Sequence, residues 1–256
     1  MRTLPIIIIA LLCFVLAPST AQAMHITEGI LPPQWAGLWF ALAIPFVALG
    51  LRDLKARSKQ QPLFKPMVGL IGSAVFVISC MPIPVPTAGT CSHPCGTGLS
   101  AILIGGPLTA LVSSIALLLQ ALFLSHGGLT TLGGNIMSMG VVGGFTGLAI
   151  FRLTRLCGMP VWGAAFLAGL LSDWATYLMT SFELASALHG KVAFLKMFAA
   201  IGISFIPTQL PLGIMEGIIT AVVYQFIAER RPELLEGLGV PVKTGLVQAV
   251  EGEANV

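Results

Sequence analysis

Hydrophobic positions along this chain come in long blocks rather than at the spacing of a soluble amphipathic helix or strand. Blocks of roughly 17–25 apolar residues, the length an α-helix needs to cross ~30 Å of hydrocarbon, alternate with short breaks of Gly, Pro or charged residues. The first block differs from the others. Arg2 precedes an apolar run from Leu4 to Leu16 broken only by Pro5, and Pro18 and the small-residue ending Ala21-Gln22-Ala23 follow. That order matches a secretory signal peptide, residues 1–23, cut after Ala23 so that Met24 becomes the amino terminus on the extracytoplasmic side. An uncleaved first helix is the alternative, against which stand the short run and the A-x-A ending.

From an outside start, the first span covers about residues 34–51. The stretch "RDLKARSKQQPLFK" behind it holds five basic residues against one Asp and reads as a cytoplasmic loop. A span over 66–81 returns the chain outward, so "PIPVPTAGTCSHPCGTG" lies on the side of Met24. The block 97–124 is too long for one crossing and is interrupted by Gly105-Gly106-Pro107, where a helix stops. It is read as two segments, the first short. Spans over 136–151 and 160–180 follow, with Glu183, His189 and Lys191 outside, and the block 192–227 crosses once with a break at Pro207 to Pro211. The parity gives an all-α, polytopic membrane protein of about seven transmembrane helices after removal of the signal peptide. The amino terminus is extracytoplasmic and the carboxyl terminus cytoplasmic. The membrane domain is 24–231, and residues 232–256 form a cytoplasmic tail expected to be disordered.

Composition agrees. The chain has 56% apolar and 9% charged residues and a mean hydropathy of +0.94, whereas soluble proteins carry about a quarter charged residues. A net charge of +3 in small basic clusters reports topology and suggests no nucleic-acid surface. No segment is large enough for an ATPase, and no catalytic motif is present. Asp173 and Glu216 are the only carboxylates within predicted spans. They are thin material for an ion-coupled pathway and read first as buried polar groups bonded to a neighbouring helix. A self-sufficient secondary transporter or a membrane metalloenzyme is therefore a remote alternative.

Histidine placement carries the chemistry, because His25, His93 and His126 all fall in predicted extracytoplasmic segments. Imidazole is the commonest metal ligand. His189 reads as an ordinary loop histidine. Cleavage after Ala23 frees an α-amine with a reference pKa of ~7.7–8.0. That amine, the backbone nitrogen of His25 and its imidazole can close adjacent five- and six-membered chelate rings around one ion. Flat nitrogen sets suit Ni(II) and Cu(II), with Co(II) within reach, and disfavour Mg(II) and Ca(II). His93, between Ser92 and Pro94, is the best fourth nitrogen. A rival is C-x-H-x-C, Cys91-x-His93-x-Cys95, which with His25 makes a soft tetrahedral zinc or copper(I) site. On an oxidising side the two thiols could instead form a disulfide, and paired or free thiols both stay open.

The stretches "MHITEGILPPQWAGLW", "GTCSHPCGTGLSAILIGG", "QALFLSHGGLTTLGGNIMSMGVVG", "SDWATYLMTSFELA" and "TQLPLGIMEGIITAVVY" together resemble the CbiM/NikM family, from Met24 to about Arg231. The resemblance implies the substrate-capture subunit of a group I energy-coupling factor transporter for cobalt or nickel, in a bacterial or archaeal cytoplasmic membrane. It implies seven helices, with the amino-terminal loop inserted so that groups of Met24, His25 and His93 hold the ion. The loop and "SMGVVG" are more like the cobalt branch, which implies Co(II) for cobalamin synthesis, with Ni(II) the alternative cargo and no resident cofactor. It implies three kinds of partner: a membrane coupling subunit, cytoplasmic ATPase subunits and a small auxiliary membrane protein. Two departures are Cys95 where Thr is expected and Gly134 where Ala is expected. His126, Asn135 and Glu28 are expected to support the metal loop without binding the ion.

Overall fold

The structure, a computed structural model, describes residues 22–23, 25–81, 83–85 and 90–240. The leader up to residue 21, Met24, and residues 241–256 of the expected tail lie outside the described residues. Helix α1 runs Pro33–Gln60 and α2 Phe64–Ser79. The short α3, Thr97–Ile104, is followed by α4, Gly106–Phe123. A continuous helical rod then comprises α5 (Leu132–Asn135), a π-helical stretch (Ile136–Gly143) and α6 (Gly144–Leu156). Helices α7, Val161–Leu188, and α8, Phe194–Arg230, form a long hairpin, and α9 is Pro232–Gly237. Three short strands, β1 (Gln22–Ala23), β2 (Ile83–Val85) and β3 (Thr90–Ser92), make a small sheet in the order β1-β3-β2 leading into the loop that carries His93.

Four of the helical rods are long and apolar enough to cross a membrane. The large apolar side chains left outside, such as Leu38, Leu42 and Ile44 on α1 and Ile203, Ile206 and Leu210 on α8, are a lipid-facing surface, because water would penalise apolar area of this extent. Polar groups point inward instead. Thr97 meets Ser172 at 3.1 Å, Ser100 meets Thr109 at 2.9 Å, and Ser172 Oγ donates to the Gly143 carbonyl at 2.9 Å. All eight residues of α3 are buried, so this half-length helix is the centre of the bundle. The break behind it falls at Gly105, whose φ of +91° an L side chain rarely adopts.

Helices cover the stretches expected as spans, with shifted ends, and four of them, rather than seven, are long and apolar enough among the described residues to cross a membrane. Helix α1 continues through the basic stretch expected as a loop. Arg, Lys, Leu and Ala favour helix once outside the hydrocarbon, Arg57 pairs with Asp53 at 3.7 Å, and the helix stops at Gln61, extended (φ −139°, ψ 106°) as the residue before a proline must be. The break expected at Pro207 to Pro211 is absent: both prolines lie inside α8. A proline spaced four after another removes N–H groups along one face only, and lipid-embedded helices tolerate the loss where neighbours hold them in place. The expected tail begins as structure, since Leu235 in α9 is buried. Arg57 donates to the carbonyls of Ile104 (3.3 Å) and Leu238 and lies 4.1 Å over the Phe64 ring, tying the end of α3 to the segment behind α8.

Close helix approach depends on glycine. A Cβ on Gly98 would stand 2.8 Å from the Cα of Gly169, and one on Gly169 would stand 2.5 Å from Thr220 Oγ1 and 2.8 Å from the Glu216 carbonyl oxygen. Gly37 meets nothing within 4 Å. Gly169→Leu should therefore destabilise the protein by about 1–3 kcal/mol or more, read as a lowered unfolding midpoint in detergent, whereas Gly37→Leu leaves the midpoint in place. Equal midpoints for the two variants would contradict this packing.

Candidate metal centre

The segment behind residue 24 enters the bundle at both its ends, His25 and Ile26 each 3% exposed and Leu31 4%, while Glu28 and Gly29 between them stay exposed. The loop Ser125–Asn135 grips them. The Ile26 N–H donates to Asn135 Oδ1 at 2.8 Å, and the Ile26 carbonyl accepts from Asn135 Nδ2 at 3.1 Å and from Thr131 Oγ1 at 2.5 Å. One asparagine thus satisfies both backbone groups of a buried residue, as a neighbouring strand would. Two glycines let the segments meet. Gly127 has φ +80°, and a Cβ there would lie 3.2 Å from the Cβ of His25. A Cβ on Gly128 would overlap Glu28 at 2.6 Å from its Cα. Glu28 is a surface hook, its Oε2 accepting the Thr130 N–H at 3.1 Å; bonding to Thr130 holds its carboxyl below the ordinary value.

The insertion brings three imidazoles together. Ring centroids are 4.7 Å apart for His25 and His93, 4.8 Å for His25 and His126, and 4.9 Å for His93 and His126. One nitrogen from each lies within 4.8 Å of the others. Their tautomers follow from their partners. Ser79 Oγ donates to the Val75 carbonyl at 2.7 Å, so it accepts from Gln120 Nε2 at 2.6 Å, which turns Gln120 Oε1 toward His25. His25 Nε2–H donates to that oxygen at 3.0 Å, leaving the lone pair on Nδ1, the nitrogen that closes a six-membered ring with its own backbone nitrogen. His93 Nδ1–H donates to the Pro94 carbonyl at 2.9 Å, leaving the lone pair on Nε2. The Nε2 atoms of His93 and His126 are buried without a hydrogen-bond partner among the described residues. Burial lowers the pKa of all three rings, and repulsion among them lowers His25 and His93 further, His93 to about 3. Neutral nitrogen lone pairs gathered in a water-poor site make a set that a transition-metal ion completes.

Cys95 does not join this set. It is a buried free thiol whose Sγ–H faces Asp173 Oδ1 at 3.8 Å, so the site in which Cys95 would join His93 is not formed and neither is a disulfide through Cys95. The side chains of Cys91 and Met24 lie outside the described residues. His189 sits apart, its Nδ1 on the Val192 carbonyl at 3.2 Å. Glu183, expected beyond the end of its span, instead lies fully buried within α7, which runs two turns further than expected. Gly134 packs against it, and a Cβ there would stand 3.1 Å from Oε2, a physical reason for glycine at that position. Asp173 and Glu216, isolated in the sequence, meet beneath Cys95. Sequence reasoning missed Gln120 and Ser79, although a lone amide inside "LLLQALF" was a visible signal.

The fold and this cluster define a polytopic membrane protein with a buried group of three imidazoles whose nitrogens could hold a transition-metal ion. The family profile described as "Cobalt uptake substrate-specific transmembrane region" matches residues 25–234, and the chain belongs to this family, CbiM. It is 56% identical over 217 residues to the "Cobalt transport protein CbiM" of Sorangium cellulosum, covering 85% of this chain and 96% of that one. It is 54% identical over 231 residues to that of Geobacter sulfurreducens, covering 90% and 67%. A crystal structure described as a truncated transition metal transporter matches with a TM-score of 0.69 at 25% identity, over 80% of this chain and 98% of that one.

The depressed histidines set a direction for pH dependence. The unfolded chain binds protons at these rings below pH ~6.5 while the folded chain does not. Stability without metal is therefore unaffected above that value and is lost as pH falls from it toward the folded values. The unfolding midpoint of metal-free protein should drop between pH 7 and pH 5, and His93→Gln should drop less over that interval. Parallel curves would show that His93 titrates normally in the folded state.

Proposed function

We propose that this chain is the substrate-capture subunit of an ATP-driven importer of the energy-coupling factor type, taking Co(II) from the extracytoplasmic side. The carrying observation is the convergence of three neutral imidazole lone pairs where the segment behind Met24 enters the bundle. The names of the two bacterial relatives supply cobalt as cargo. Cleavage after Ala23 frees the Met24 amine, which with the backbone nitrogen and Nδ1 of His25 and the Nε2 of His93 gives a four-nitrogen set, and His126 stands beside it. Orientation follows from charge. Arg57 at the end of α1, Arg155 at the end of α6 and Arg230 at the end of α8 mark the cytoplasmic face. The energy is supplied by cytoplasmic ATPase subunits acting through a membrane coupling subunit, with a small auxiliary membrane subunit completing the complex.

Nitrogen ligation also favours Ni(II), whose affinity generally exceeds that of Co(II) at a given site, so donor type alone leaves nickel as the second reading. Isotope uptake by cells carrying all subunits, with the two ions in competition, separates them: cobalt accumulation that withstands equimolar nickel supports the first reading, and preferential nickel accumulation replaces it.

The amine donor makes a sharper prediction. A chain extended by one residue before Met24, correctly inserted and with His25 and His93 intact, should lose most of its metal, because the acylated nitrogen has no available lone pair and the chelate rings are displaced. Metal analysis with amino-terminal sequencing of purified protein reads this directly. Full occupancy in the extended chain would leave only imidazoles as donors.

A further inference from the structure

Below the histidines lies a second buried group: the Cys95 thiol and the carboxylates of Asp173 in α7 and Glu216 in α8, with ligand atoms within 4.8 Å of one another. We infer that Glu216 is a positioning residue for His93, fixing the backbone of the ion-binding loop to the α7–α8 hairpin. This rests on the capture reading above.

Glu216 is 1% exposed, and both its oxygens are engaged. Oε2 accepts the Cys95 N–H at 2.6 Å and Oε1 accepts the Gly96 N–H at 2.9 Å. Helix α3 begins at the next residue. Its N-cap, Gly96, has φ +69° and contributes no side-chain cap, so the N–H groups of the N-cap and of the residue before it are taken up by a carboxylate from another helix. The α7 helix holds the other side of the same short stretch: Tyr177 Oη–H donates to the His93 carbonyl at 3.5 Å, and Cys95 Sγ–H faces Asp173 at 3.8 Å. Between the anchored amides and the His93 imidazole stands only Pro94, whose ring fixes φ and whose carbonyl receives His93 Nδ1–H. The direction of the Nε2 lone pair is thus set by where Glu216 holds residues 95 and 96.

A cation site in this group is the competing reading. Against it, Glu216 already faces N–H groups at the positive end of α3, which attracts an anion and opposes a cation. The anchor also accounts for an acid deep in a helix bundle, where charge is costly without a partner. It couples two parts of the molecule, because α7 and α8 pack together more extensively than any other pair and α8 continues to Arg230 at the opposite face. Movement of the hairpin would turn His93 in the site.

The test is chelator-competed titration of the mature, purified full chain with Ni(II) and with Co(II), together with the ligand-field absorption of the bound ion. Glu216→Gln keeps shape and one acceptor oxygen but presents an amide donor to an N–H. It should weaken binding about 10–100-fold, the range for residues that orient ligands, and shift the ligand-field band. In a His93→Ala background the same change should cost nothing further, because the effect passes through His93. Should Glu216→Gln fail to fold, Glu216→Asp is read in the same way, with an intermediate loss expected. Unchanged affinity and spectrum would overturn the inference. So would a loss that adds fully to that of His93→Ala, which marks a general structural role, or a second equivalent of metal bound by the wild type and absent in Glu216→Gln, which marks a cation site. Failure of the wild type to bind either ion would instead overturn the capture reading, and the anchor with it.

Discussion

The pair of hydrogen bonds between Asn135 and the backbone of Ile26 is the constraint on which the site depends. A chain segment entering a helix bundle brings polar N–H and C=O groups into surroundings without water, and each left unpaired costs on the order of 1–3 kcal/mol. Asn135 satisfies both groups of Ile26 and so makes insertion tolerable at the point where His25 must reach the interior. The glycines at 127 and 128 leave the volume the segment occupies. Gln120 then orients the imidazole. Each device lies in a loop or helix interior remote from residue 25, so the amino-terminal segment is effectively a ligand of its own protein.

A cost follows from bringing three imidazoles together in a dry site. They remain neutral because burial depresses the basicity of all three and repulsion adds to it for His25 and His93, and the Nε2 atoms of His93 and His126 meet no donor among the described residues. The arrangement is poor as a structural core and good as a receptor for a cation. Its polar supports reach in two directions, toward the loop Ser125–Asn135 through Asn135 and toward the α7–α8 hairpin through residues 93–96. Between them lies α3, all of whose residues are buried and which directly follows the loop that carries His93.

Much of this was legible in the residues. The long apolar helices could be read because hydrocarbon thickness imposes a length. Helix ends were not legible, since α1 and α7 continue past the apolar block on residues that are good helix formers. The unbroken course of α8 through Pro207 and Pro211 depends on neighbouring helices, and the π-helical stretch Ile136–Gly143 has no signature beyond small residues. Within the site, His25 and His93 were visible from position and His126 from its glycine-rich loop. Its place among the imidazoles, and the meeting of Asp173 with Glu216 and Cys95, are products of packing across long sequence separations.

The central claim is that the inserted segment builds an ion site from nitrogen alone, with no sulfur despite cysteine two residues from His93. X-ray absorption at the metal edge of the loaded, processed protein tests it directly. The bound ion should show nitrogen scatterers near ~2.0 Å, with the outer-shell pattern of imidazole rings. A sulfur scatterer at roughly 2.3 Å would place a cysteine on the ion and contradict it.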